Sequence, residues 1–152
     1  MDMDFDQAMD IALKEAQLAY DEGEIPVGAA VLKDGQLISA AHNTRESDSK
    51  ISKHAEIVAI EAAEAKLGSW QLDGCQLIVT LEPCLMCVGA IAQARISTLI
   101  YGASDKQYGA FSTGLDPFGK RVYPSPLIYK GTKKEECEEL LNRFFINLRK
   151  RT

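Results

Sequence analysis

The sequence predicts an α/β protein in which one sheet lies between two layers of helices. Three observations carry that prediction. Segments with helical apolar spacing alternate with short apolar runs of strand length. The 152 residues suit one domain with a core of its own, and no linker, internal repeat or low-complexity tract divides them. Residues 1–152 are therefore read as a single domain.

Phe5, Met9, Ala12, Leu13, Ala16 and Tyr20 recur at helical spacing and form one apolar face, and Gly23 ends that helix. Ile25 to Leu32 and Leu37 to Ala41 are apolar runs separated by Lys33-Asp34-Gly35-Gln36, whose Asp-Gly pair suits a hairpin turn. A second helix starts near His54 and ends at Gly68. Leu77 to Leu81 reads as a buried strand, and Pro83 opens a third helix from about Cys84 to Ala94, since a first-turn proline gives up an N–H that has no helical partner. Ser97 to Tyr101 is a further strand. Gly102 to Pro126 is a long loop rich in Gly, Pro, Ser and Asp, with room for local helix. Leu127 to Tyr129 is a weak strand, and the last helix carries Cys137, Leu140, Leu141, Phe144, Phe145 and Leu148 on one side.

The bulk numbers exclude several classes. No run approaches the roughly 18 apolar residues of a membrane span, and the N-terminal Met1-Asp2-Met3-Asp4-Phe5-Asp6 lacks the basic and apolar regions of a secretory signal. Two of the four cysteines form Cys84-x-x-Cys87, which reads as metal binding in a reducing compartment, hence the cytoplasm. The net charge of −5 argues against a generic nucleic-acid coating protein but leaves room for a local basic patch. Arg143, Arg149, Lys150 and Arg151 form such a patch, with no acid after Glu139; it suits the negative end of a helix as well as an RNA contact.

The chemistry is concentrated in a split constellation, His54-Ala55-Glu56 and Pro83-Cys84-Leu85-Met86-Cys87. One imidazole and two thiolates are a nitrogen-and-sulfur ligand set suited to zinc, and three protein ligands leave a tetrahedral position for water. Glu56 supplies a carboxylate that can move that water's protons. His-x-Glu followed by Pro-Cys-x-x-Cys is the signature of zinc nucleobase deaminases. Both halves sit at expected helix N-termini, which should make both thiols easier to ionise. A structural zinc site would need a fourth ligand from His42, Cys75 or Cys137; Cys75 and Cys137 read as small core residues and His42 as structural.

With these residues stand Gly23-Glu24-Ile25-Pro26-Val27-Gly28-Ala29, His42-Asn43, Leu67-Gly68-Ser69-Trp70, Thr80-Leu81-Glu82, Tyr101-Gly102-Ala103 and Phe144-Phe145. Together they resemble the bacterial tRNA-specific adenosine deaminases of the cytidine deaminase superfamily, across nearly the whole length. The resemblance implies a cytidine-deaminase-like fold with a mixed five-stranded sheet. It also implies conversion of adenosine to inosine at the wobble position of an arginine tRNA anticodon. The enzyme would be a homodimer with one Zn2+ per chain, no organic cofactor and no membrane association. His54, Cys84 and Cys87 would hold zinc and Glu56 would transfer protons. Asn43 would contact the base or ribose, and the Ala55 backbone would orient the ring. Val27 and Pro83 would join the substrate site, Asp105 and Lys106 belong to a loop that contacts the anticodon, and Phe145 lies on a helix near the substrate. The bland roles of these last groups are a capping asparagine, a surface turn and core aromatics.

Two stretches depart from the family pattern. Ser49-Lys50-Ile51-Ser52-Lys53 stands where Asp-Pro-Thr-Ala is common, and Tyr123-Pro124-Ser125 stands where an Asn-His-Arg motif is usual. Both bear on substrate recognition and neither touches the metal ligands. The competing expectations are a deaminase of a free base or nucleoside, and a non-catalytic zinc RNA-binding module or partner subunit.

Overall fold

The computed structural model describes residues 2–119 and 125–151. Its first helix, α1 (Phe5–Asp21), opens with a reciprocal cap: Gln7 N–H donates to Asp4 Oδ1 at 2.8 Å and Asp4 N–H to Gln7 Oε1 at 2.9 Å. A hairpin of β1 (Gly28–Lys33) and β2 (Gln36–His42) follows, turning through Asp34 and Gly35 at φ of +51° and +74°. Both centres of the turn are left-handed, as the Asp-Gly pair requires. Ile25 to Val27, expected as strand, are irregular: Val27 N–H turns back to the Ile25 carbonyl, and Pro26 has no ladder donor to offer. The remaining elements are α2 (Arg45–Asp48), α3 (Ala55–Leu67), β3 (Cys75–Leu81), α4 (Leu85–Gln93), β4 (Thr98–Ala103), β5 (Leu127–Lys130) and α5 (Lys134–Lys150). The one-turn α2 was not expected.

The five strands form one mixed sheet in the order β2-β1-β3-β4-β5, with β1 antiparallel to β2 and β3, and β3, β4 and β5 parallel. Period-two alternation divides the core between its faces. Val79, Leu77, Leu99 and Tyr101 meet Ala59, Ile60, Ala63 and Ile91 from α3 and α4. Ile78, Ile100 and Leu32 meet Met9, Ala12, Cys137 and Leu141 from α1 and α5. Each fully buried Leu or Ile contributes about 1.5–3 kcal/mol. The three-layer expectation therefore holds. Gly28 lets α1 approach the sheet: a Cβ there would stand 1.8 Å from the Ala12 carbonyl oxygen.

Two further expectations are corrected. The stretch after Ala103 holds turns and an isolated bridge from Gly109 to Cys84 in its described residues, with no helix. On α5 only Cys137, Leu140 and Leu141 are buried, whereas Phe145 and Leu148 are 39% and 46% exposed, because the core that Ile78 and Ile100 of β3 and β4 build under the helix takes in Cys137 and Leu141 and no later residue. Tyr123 and Pro124 of the stretch aligned with Asn-His-Arg lie outside the described residues. No helix among the described residues is long and apolar enough to cross a membrane.

Candidate active site

Two helix N-termini bring the motif halves together. His54 immediately precedes α3 and Cys84 immediately precedes α4, both in extended backbone, and neither side chain caps its own helix. Cys87 lies one turn into α4 and is fully buried. His54 Nδ1 stands 3.7 Å from Cys84 Sγ and 3.5 Å from Cys87 Sγ. Tetrahedral zinc separates a nitrogen ligand from a sulfur ligand by about 3.6 Å. Chemistry and spacing of the donor set therefore fit zinc, with Nδ1 as the imidazole ligand. Among the described residues no other group of acids, histidines or cysteines is as closely gathered.

The two thiols differ. Cys84 is pulled down to about 4, by the hydrogen bond from Cys87 and, against burial, by the one to His54. Cys87 is pushed up, because it donates to Cys84, is buried, and faces the charges of Glu56 and Cys84. One thiolate opposes the other, and a divalent cation between them removes that opposition. Glu56 is 4% exposed and burial raises its carboxyl to about 7. A carboxyl near neutrality can both accept and release a proton there.

A cleft of about 780 Å³ opens over this cluster. His54, Glu56 and Cys84 line it together with Ala55, Val27, Asn43, Asp105, Lys106 and Phe145. The buried Pro83 stands outside that lining, where its carbonyl accepts from Ala110 N–H at 2.9 Å. Asn43 is 7% exposed; its Oδ1 accepts from Arg45 N–H at 3.1 Å and its amide donates to the Ile25 carbonyl at 3.4 Å. The Asp105 carboxylate is turned onto its own loop, accepting from the N–H groups of Gln107 and Tyr108. Cys75 and Cys137 are buried away from the site, with Cys137 pushed up to about 12 mainly by burial. His42 ends β2 and bonds Glu15 and Glu22 of the first helix and its cap, consistent with a structural reading. Arg143 donates to Gln17 and lies 5.1 Å from the centre of the Tyr20 ring, which ties α5 to α1.

Sequence reasoning missed Arg45 on the cleft wall, whereas the 67%-exposed Tyr108 there belongs to the Asp105–Gly109 loop that the resemblance singled out. It also missed two buried carboxylates that hold the walls. Glu24 accepts from Glu46 and Ser47 N–H at 3.0 and 2.8 Å, fixing α2. Glu82 accepts from Asp105, Phe111 and Ser112 N–H and from the Ser112 hydroxyl. Burial would tend to raise each carboxyl, but these hydrogen bonds outweigh it and hold both below the usual carboxylate range. An acid directly before Pro-Cys at a strand end was the available signal for Glu82.

Comparison with known proteins agrees with this geometry. Residues 3–103 match the cytidine and deoxycytidylate deaminase zinc-binding region. A tRNA-specific adenosine deaminase of Bacillus subtilis is 39% identical over 92% of this chain and 88% of its own length. One of Aquifex aeolicus is 40% identical over 91% and 92%. A solved structure from a study of A-to-I editing by tRNA:A34 deaminases superposes with a TM-score of 0.84 at 39% identity, covering 88% of this chain and 98% of the other. A guanine deaminase of Bacillus subtilis superposes at 0.65 with 32% identity over 82% and 84%. The His54, Cys84 and Cys87 cluster thus lies in a deaminase fold, and the chain belongs to the tRNA-specific adenosine deaminase family of zinc-binding deaminases.

Proposed function

We propose that residues 1–152 act as one deaminase domain, a cytoplasmic, zinc-dependent homodimer that converts adenosine to inosine at the wobble position of an arginine tRNA. The observation that carries the reading is a zinc-type donor set with a buried Glu56 beside it in a cleft of nucleoside size, in a chain this similar to tRNA-specific adenosine deaminases. The target base, flipped out of the anticodon loop, enters the cleft. Asn43 contacts base or ribose, and the first-turn backbone of Ala55 orients the ring. Val27 packs beside it, Pro83 supports the wall from behind, Phe145 flanks the mouth, and Asp105 and Lys106 meet the neighbouring backbone. Bound zinc held by His54, Cys84 and Cys87 supplies a positive centre that makes water more acidic. Glu56 takes one proton from the attacking water and hands it to the ring nitrogen next to the amine-bearing carbon; it then takes the second, from the oxygen now bonded to that carbon, and gives it to the amine, which leaves as the carbonyl forms. Water and adenosine are consumed; inosine and ammonia result.

The likeness to a guanine deaminase supports a second reading, deamination of a free purine. Incubation with an arginine-tRNA anticodon stem-loop, guanine, adenosine and cytosine, read by mass, decides between them. Inosine in the stem-loop is expected; turnover confined to a free base would overturn the tRNA reading.

A further inference from the structure

We infer that Glu82 is a positioning residue that sets the recognition wall of the cleft at a fixed distance from the metal ligands, an inference that rests on the RNA reading above. Leu81 and Ala103 are paired at the ends of parallel β3 and β4, and Glu82 N–H donates to the Ala103 carbonyl at 2.8 Å. Glu82 is 2% exposed and lies two residues before Cys84. Its Oε1 accepts from Asp105 N–H at 3.0 Å and from the Ser112 hydroxyl; its Oε2 accepts from Phe111 and Ser112 N–H at 3.0 and 2.8 Å. Gly109 packs on the same carboxylate, where a Cβ would come within 2.3 Å. The loop so held presents Asp105, Lys106 and Tyr108 to the cleft. Its far end has a second anchor, Phe111 stacked on Tyr101 with ring centres 6.1 Å apart. The Phe111 end therefore keeps an anchor besides Glu82, whereas the Asp105 N–H at the cleft end is held by its carboxylate.

Glu82→Gln separates these ends. With its NH2 on the Oε1 side, the Ser112 hydroxyl can rotate to accept, whereas Asp105 N–H faces another donor. The reverse orientation would lose both Phe111 and Ser112 N–H, so the first is favoured. In the zinc-loaded full chain, hydrogen exchange at the Asp105, Gln107 and Tyr108 amides should rise at least about tenfold, with Phe111, Ser112 and zinc stoichiometry unchanged. On the anticodon stem-loop, KM should rise about 10- to 100-fold, the equivalent of one lost charge-assisted hydrogen bond, while kcat stays within about threefold. Combining it with Lys106→Ala should give less than the product of the two KM effects, because the lysine acts through the same wall. Unchanged exchange at Asp105, lost zinc, or a fall in kcat at constant KM would each overturn the inference. If wild-type protein leaves the stem-loop intact, the RNA reading fails, and the exchange experiment still decides whether Glu82 positions the loop.

Discussion

His54 and Cys84 hold equivalent places in two different helices, each the residue just before the first turn, and face one another across 3.7 Å. The ligand set is thus assembled by packing α3 beside α4 as much as by the ligands themselves. Removing Cys87, buried on α4, should expel the metal and leave the Cys84 thiolate with His54. We expect Cys87→Ser to lower bound zinc, measured by elemental analysis, from about one per chain to a small fraction, with turnover falling in parallel. Full zinc content in that variant would rule out the three-donor centre.

Glu56 touches the cleft but is no part of the donor set. Glu56→Ala should retain zinc and the far-ultraviolet spectrum while turnover falls about 10²- to 10⁴-fold, the range for a lost general acid–base. Retained turnover would remove Glu56 from the mechanism.

Gly28 faces the backbone of α1. A methyl at that position meets a carbonyl, which cannot rotate away as a side chain would. Gly28→Ala should cost about 3 kcal/mol, at the upper end for overpacking. Thermal midpoints would fall by about 2–4 °C per kcal/mol. A midpoint within a degree of wild type would mean that α1 sits further from the sheet.

His42 links β2 to Glu15 and Glu22 at 3.0 and 3.1 Å. Burial disfavours its charged form, but the hydrogen bonds and charges of the two glutamates outweigh it and raise its pKa. The folded chain then holds a proton that the unfolded chain releases near its ordinary value of about 6.5. The stabilisation is whole below that value and is lost as pH rises through the folded pKa. Denaturant midpoints from pH 6 to 9 should therefore fall more steeply in wild type than in His42→Gln, by about 1 kcal/mol across the range. Parallel slopes would assign His42 no proton-linked role.

Arg45 and Lys106 line the cleft within a chain of net charge −5. Affinity for a stem-loop should depend weakly on salt, with a slope of log K against log salt of about −1 to −2 for two neutralised phosphates. A slope near −5 in a titration series would reveal a larger basic surface.

The helices, the hairpin and the gathering of His54, Cys84 and Cys87 were legible because each rests on a local pattern: apolar periodicity, an Asp-Gly turn, a His-x-Glu and a Cys-x-x-Cys. What escaped depends on residues distant in sequence. Arg45–Asp48 is a helix because the Glu24 carboxylate, about twenty residues earlier, accepts from its first turn. The stretch after Ala103 holds its path through Glu82 and Phe111 rather than through any helical period. The exposure of Phe145 and Leu148 escaped because nothing in an apolar stripe says how far the core extends beneath it. The unequal thiols of Cys84 and Cys87 follow from which donates to which and from the deeper burial of Cys87, neither of which a Cys-x-x-Cys spacing states.

The docking of the Ser104–Ser112 loop has a consequence for how such a chain can diverge. Three of the four groups held by Glu82 are main-chain N–H, which every residue except proline possesses. The carboxylate thus works as a socket that reads mostly backbone shape, with side-chain demands only at Gly109, where a Cβ would clash, and at Ser112, whose hydroxyl it accepts. Exposed side chains such as Lys106, Gln107 and Tyr108 can be exchanged while the loop still seats, and a new preference for ligands can arise without disturbing the chemistry at Cys84.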